Sequence, residues 1–167
     1  MPRLSRLAAL LALTVGLAAC DTGPLDSLDI ETASIRTIQV DDFSFSNPEG
    51  NPWDGIPDTA PDVYITLETA EGDVFFESEE IPSTTVGDLP LVFDFIDRIQ
   101  INNLRRGFVV AIWDRDAFNA DDLIGETDVF VFEDYLPEGS DVDDDFTFAV
   151  GGDGGITQVR LRGEWRD

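Results

Sequence analysis

From Ser34 onward the chain falls into short apolar runs, and in most of them every second position is apolar. Ile35, Ile38 and Val40 open the series, followed by Val63, Ile65 and Leu67, then Val74 and Phe76, then Val92 with Phe93 and Phe95. Phe108 to Ile112 comes next, and Val129 with Val131, Phe146 with Phe148, and Val159 with Leu161 complete it. Alternation of this kind marks half-buried strands, and no stretch carries the 3.6-residue period of an amphipathic helix. Turn residues separate the runs at Glu71-Gly72-Asp73, at Arg105-Arg106-Gly107 and in the glycine cluster Gly151 to Gly155, which reads as a hairpin turn. The pattern predicts an all-β protein, a single antiparallel eight-stranded β-sandwich with no internal repeat and no second domain.

The front of the chain is different. Arg3 and Arg6 precede an apolar run from Leu7 to Leu17, which ends in Leu17-Ala18-Ala19-Cys20. A basic start and an apolar stretch too short to span a bilayer read as an export signal. The four residues match the bacterial lipobox, in which a cysteine thiol takes a diacylglycerol and everything before it is removed. Cys20 is the only cysteine in the chain. The expected organisation is a lipoprotein signal peptide over 1–19, a lipidated tether over 20–33 and one domain over 34–167. Stable anchoring at an inner or outer membrane of the cell envelope needs two or three acyl chains on that residue. Residues 21–33 are polar and carry no strand or helix pattern.

Candidate chemistry is concentrated in Trp113 to Gly125, WDRDAFNADDLIG. Asp114 and Asp116 are two apart, so on an extended backbone they share a side, with Arg115 opposite. The loop then returns Asp121 or Asp122 toward them. Convergent carboxylates without a basic partner repel one another unless a cation sits between them, which suggests a calcium cradle.

At these residues the chain resembles the C2 domain family, a calcium-dependent β-sandwich of Greek-key topology. The family's third calcium loop reads D-x-D, then after five residues Asp, an apolar pair and Gly. Asp114, Asp116 and Asp122 stand at that spacing, followed by Leu123, Ile124 and Gly125. Upstream, DTAPDVYITL is similar to the family's D-P-Y-V strand, with Val63 in place of Pro, and DLPLVFDF and GGITQVRLRGEW are similar to two further strands. The likeness covers roughly residues 35 to 165. It implies that Asp62 is a calcium ligand at a strand start, and that the first loop, NPWDGIPDTAPD, contributes Asp54 or alternatively Asp58. It also implies calcium-dependent contact with phospholipid head groups or an envelope partner, with Ile56, Ala117 and Phe118 as loop residues that could enter lipid. The competing expectation is a carbohydrate-binding or structural module, with Trp53, Tyr64 or Trp165 stacking on sugars and calcium only stiffening loops.

Composition narrows the choice. Acidic residues number 35 against ten basic ones, for a net charge of −25. Removing the leader would take away two arginines and no acid, so 8 − 35 gives −27. All ten basic residues are arginine, and histidine and lysine are absent. Such a charge excludes nucleic acid, whose binders need a basic face, and an acidic, lysine-free surface fits a halophilic setting. Without histidine, and with the one thiol acylated, no Ser-His or Cys-His nucleophile can be assembled and zinc lacks its usual ligands, so an enzyme is not expected. Asp141 to Asp145 lacks the Gly and Glu of an EF-hand loop and reads as solvated.

Overall fold

The computed structural model describes residues 30–53, 60–117, 120–136, 145–153 and 158–166. The leader, Cys20, Asp54, Ile56, Asp58, Phe118 and Asp141 to Asp144 lie outside them. Ten strands run through the described residues: β1 (Thr32–Asp42), β2 (Val63–Thr69), β3 (Val74–Glu77), β4 (Leu91–Ile101), β5 (Gly107–Asp114), β6 (Asp122–Thr127), β7 (Phe130–Val131), β8 (Asp145–Val150), β9 (Gly152–Asp153) and β10 (Gln158–Arg166). One sheet has the order β4-β1-β10-β8, the other β3-β2-β5-β6-β9 with β7 added on β5. Every pairing is antiparallel. The expected sandwich is therefore present; the Val129–Val131 run corresponds to the two-residue β7, and the strands outside the eight runs of the hydrophobic pattern are β6 and β9.

Alternation explains why these segments pair. Ile35, Ile38 and Val40 of β1 face Val63, Ile65 and Leu67 of β2 across the core, and all six are fully buried. Burying an aliphatic side chain of this size contributes about 1.5–3 kcal/mol, so a one-residue register slip would forfeit a whole row. Phe132 centres the other half of the core, with the rings of Phe108, Phe130, Phe146, Phe148 and Trp165 all within 6.4 Å. Gly163, midway along β10, is required by that packing. A Cβ there would lie 2.2 Å from the Ser34 carbonyl oxygen and 2.6 Å from the Phe146 ring.

Three predicted runs differ in detail. Val129 is exposed and precedes β7, so Phe130, not Val129, faces inward. Val74 is exposed because β3 is an edge strand, and only Phe76 leans on the core, against Phe95 at 4.7 Å. Val92 points outward while its neighbour Phe93 is buried. At the front, β1 opens at Thr32, inside the segment read as tether, and Ile30 is buried while the Glu31 N–H donates to the Arg166 carbonyl at 3.0 Å. The glycine cluster also does more than turn the chain, since Gly152 and Asp153 pair with Thr127 and Glu126 of β6.

The strand directions define two poles. β1 starts beside Ile101 and Arg166 at one pole and ends at Asp42 at the other, where β2 starts, β5 ends and β6 starts.

Candidate functional site

The second pole carries the acidic residues singled out by the sequence. Antiparallel pairing of β2 with β5 sets Val63 opposite Asp114, which brings Asp62, one residue before the strand, beside the Asp114 side chain. The Asp62 N–H donates to Asp114 Oδ1 at 2.8 Å, and the Arg115 N–H donates to the Asp62 carbonyl at 2.9 Å. Asp62 Oδ1 in turn accepts the Ser83 N–H at 2.7 Å, where Ser83 sits at φ 52, a left-handed conformation rare outside glycine. Two of the predicted ligands are thus locked together, and Asp114 is fully buried.

Asp122 opens β6 directly across from Asp114 in register and is solvent-exposed. Its neighbour Asp121 is the one that turns back into the protein. Asp121 Oδ1 accepts the Asp116 N–H at 3.0 Å, and Oδ2 accepts the Tyr64 hydroxyl at 2.8 Å. The loop is therefore latched on both sides by one carboxylate. Tyr64 is almost wholly buried, stacked on Trp113 at 6.4 Å with the Arg115 guanidinium 4.2 Å above its ring. Burial and then the hydrogen bond to Asp121 push its hydroxyl pKa up to about 12. Arg115 is held by Glu77 at 2.5 Å and Glu80 at 3.5 Å, and the Glu77 contact raises its pKa further.

Asp62, Asp114, Asp116 and Asp122 all lie at this pole, but among the described residues no group of three or more Asp, Glu, Cys or His side chains is arranged to hold a metal. Asp54 and Asp58 fall outside the described residues. The donor set is hard oxygen throughout, which suits calcium in kind. In geometry it supplies one fixed contact, the Asp62 backbone on the Asp114 carboxylate, with Asp116 on the loop that follows β5 and Asp122 at the start of β6.

Sequence reasoning missed the Tyr64–Asp121 latch and the Ser83 N–H. Consecutive aspartates point to opposite sides of an extended chain, so the sequence indicated that one of Asp121 and Asp122 turns inward without indicating which. The aromatics considered for sugar stacking are inside. Trp165 is 1% exposed, and Trp53 is 8% exposed, with its indole N–H donated to the Ser44 carbonyl at 2.8 Å.

No protein-family model matches the chain, and no curated protein matches it in sequence. Among solved structures the fold is similar to part of human GIVD cytosolic phospholipase A2, with a TM-score of 0.52 at 14% identity, covering 83% of this chain and 17% of that one. A structure described as a C2 domain gives a TM-score of 0.47 at 11% identity, over 81% of this chain and 98% of that one. A C2 domain protein from Ramazzottius varieornatus gives 0.47 at 20% identity, over 83% and 90%. The chain spans 17% of the phospholipase's length, and at these identities the likeness is one of fold. By its two antiparallel sheets the protein is a C2-like β-sandwich.

Proposed function

We propose that this chain is a lipid-anchored envelope module whose aspartate pole binds calcium and, through it, phospholipid or an envelope partner. The observation that supports the reading best is the Asp62 backbone held on the Asp114 side chain, with Asp116 on the adjoining loop and Asp122 opposite Asp114 at the start of β6. Asp54 or Asp58 would complete the ligand set. Carboxylates drawn to about 4 Å of one another around an ion would repel by about 4 kcal/mol per pair at an effective dielectric near 20, a cost that a divalent ion removes. The latch through Asp121 keeps the backbone of Asp116 in place before the ion arrives. No catalytic step is assigned to the domain.

Cys20 would be the acylated first residue of the mature chain. β1 begins at the pole opposite the aspartates, and its 11 residues span roughly 36 Å at about 3.3 Å per residue. The eleven residues from Cys20 to Ile30 reach about 36–40 Å when fully extended, comparable with the length of β1. Unless that segment is stretched to its full length along the sandwich, an anchored domain would present its aspartates away from its own membrane, toward an apposed surface or a partner. Mass spectrometry of the mature protein from a lipoprotein-processing host should find a diacylated Cys20 at the terminus. An unmodified cysteine or a different start would remove the anchor.

Calorimetric calcium titration at constant molar KCl tests the site. At 100 times its dissociation constant a ligand of the folded state adds about 2.7 kcal/mol, so millimolar calcium should raise the melting temperature measurably, and magnesium less. Asp116→Asn and Asp122→Asn should each remove most of that increment. No calcium heat, with identical melts for wild type and Asp116→Asn, would leave the second reading. That is an acidic structural sandwich whose loop is held by Tyr64 and Asp121 without metal, and it is favoured by the lack of a three-carboxylate group among the described residues.

A further inference from the structure

A second feature lies along the side of the sandwich, between β4 and the segment running from β3 to Ile81. β4 and β3 are the edge strands of their respective sheets, and between them runs a groove of about 500 Å³. Phe76, Ile81, Phe93 and Phe95 belong to its apolar lining, and each packs against or within the core. Its outer margin on β4 is apolar too: Val92 is 45% exposed and Ile96 is 100% exposed. The cause is a bulge. Thr37 pairs with Asp94 and Ile35 with Ile99, so five residues of β4 advance against two of β1, and the extra length throws Ile96 clear of the sheet.

The rim is acidic. Glu77, Glu79, Glu80, Asp94 and Asp97 surround the groove. One arginine of the chain already occupies part of it, because Arg115 pairs with Glu77 and Glu80. Glu79 and Asp97 are exposed and have no cationic partner among the described residues. We infer that the groove takes an extended polypeptide segment from another protein, in which apolar residues alternate with arginine or lysine. Its apolar side chains would cover Val92 and Ile96, and its cations would meet Glu79 and Asp97. Two open sheet edges offer backbone groups to such a segment, the mode in which an added strand is recognised. A second copy of this chain is disfavoured, because edge-to-edge approach would oppose Asp94 and Asp97 to their own equivalents and the bulge interrupts continuous pairing.

The probe is a labelled acetylated hexapeptide, Arg-Val-Arg-Ile-Arg-Val amide, titrated against the protein at 0.15 M and at about 0.5 M KCl and read by anisotropy. Saturable one-to-one binding is expected. Val92→Gln with Ile96→Gln, and separately Glu79→Gln with Asp97→Asn, should each weaken it about tenfold, equivalent to 1.4 kcal/mol. Glu68→Gln with Asp128→Asn, a charge-matched pair outside the groove, should leave it unchanged. All six positions are outside the core, and superimposable melts confirm that the variants fold. Equal loss in the control pair would mean that the peptide responds only to the −25 net charge, and would overturn the inference. So would groove variants that bind like wild type. Sedimentation showing a dimer that Ile96→Gln dissolves would assign the groove to a second copy instead.

Discussion

Tyr64 and Asp121 show how much of this loop's order rests on one hydrogen bond between residues 57 apart in sequence. Tyr64→Phe leaves ring packing with Trp113 intact and removes only the hydroxyl, so Asp121 loses one of its two donors and the loss should be about 1–2 kcal/mol. The pH dependence has a definite sign. Unfolded tyrosine ionises near 10, whereas Tyr64 holds its proton to about 12, so its contribution is complete below pH 10 and is lost as pH rises through about 12. Wild type should lose stability over that interval, and Tyr64→Phe should lose less. Urea melts of both proteins from pH 8 to pH 12 check this, and parallel curves would show that the hydroxyl is not the titrating group. At the acid end Glu164 acts in the opposite sense. Hydrogen bonds first from Arg98 and then from Arg166 hold its pKa below the usual glutamate range, so its contribution is present above the ordinary value and fades as pH falls through the lowered one.

Among the elements, β10 is the least tolerant of change because its neighbours on both sides close over Gly163. Gly163→Ala would set a methyl carbon 2.2 Å from the Ser34 carbonyl, a backbone atom that cannot swing aside. The expected outcome is a loss above about 3 kcal/mol or failure to fold, whereas Gly151→Ala, with nothing within 4 Å, should be nearly neutral. Thermal melts of the two variants make the comparison. A glycine inside a strand pattern is itself a sign of close backbone approach, so this constraint was legible in Arg162-Gly163-Glu164. Strand existence was legible for a related reason: β2 alternates Val63, Ile65 and Leu67 cleanly, and all three are buried. Where the apolar runs misled, the cause was local: Val92, grouped with its neighbour Phe93, takes the opposite face and is exposed, and β9 pairs through glycine and aspartate, which carry no apolar signal. The position of the aspartate loop was legible from spacing, but its latch was not, because nothing local to Asp121 announces a tyrosine on β2.

At the scale of the whole molecule, charge decides how the fold responds to its solvent. Seven of the arginines in the described residues pair with carboxylates, and Arg162 instead donates to Gln39 at 3.1 Å. Glu164 alone serves Arg36, Arg98 and Arg166. With 35 acids and ten bases, most carboxylates are left facing others of the same sign. Salt acts on both populations. Half-exposed pairs contribute about 0.2–1 kcal/mol each, so screening them costs a few kcal/mol at most across seven arginines. The surplus repulsion acts over the whole surface, and it is cut back as the Debye length falls from about 10 Å at 0.1 M to about 3 Å at 1 M. Repulsion among unpaired acids outweighs attraction in the pairs because the unpaired acids are more numerous and their interactions are longer in range. The melting temperature, measured with a chelator present so that no divalent ion contributes, should therefore climb steadily from low salt to molar KCl. Sodium chloride should give the same rise, since screening depends on ionic strength and not on the identity of the cation. A melting temperature that is flat or falls over this range would mean that the arginine pairs dominate, and the protein would then have no intrinsic preference for a saline environment.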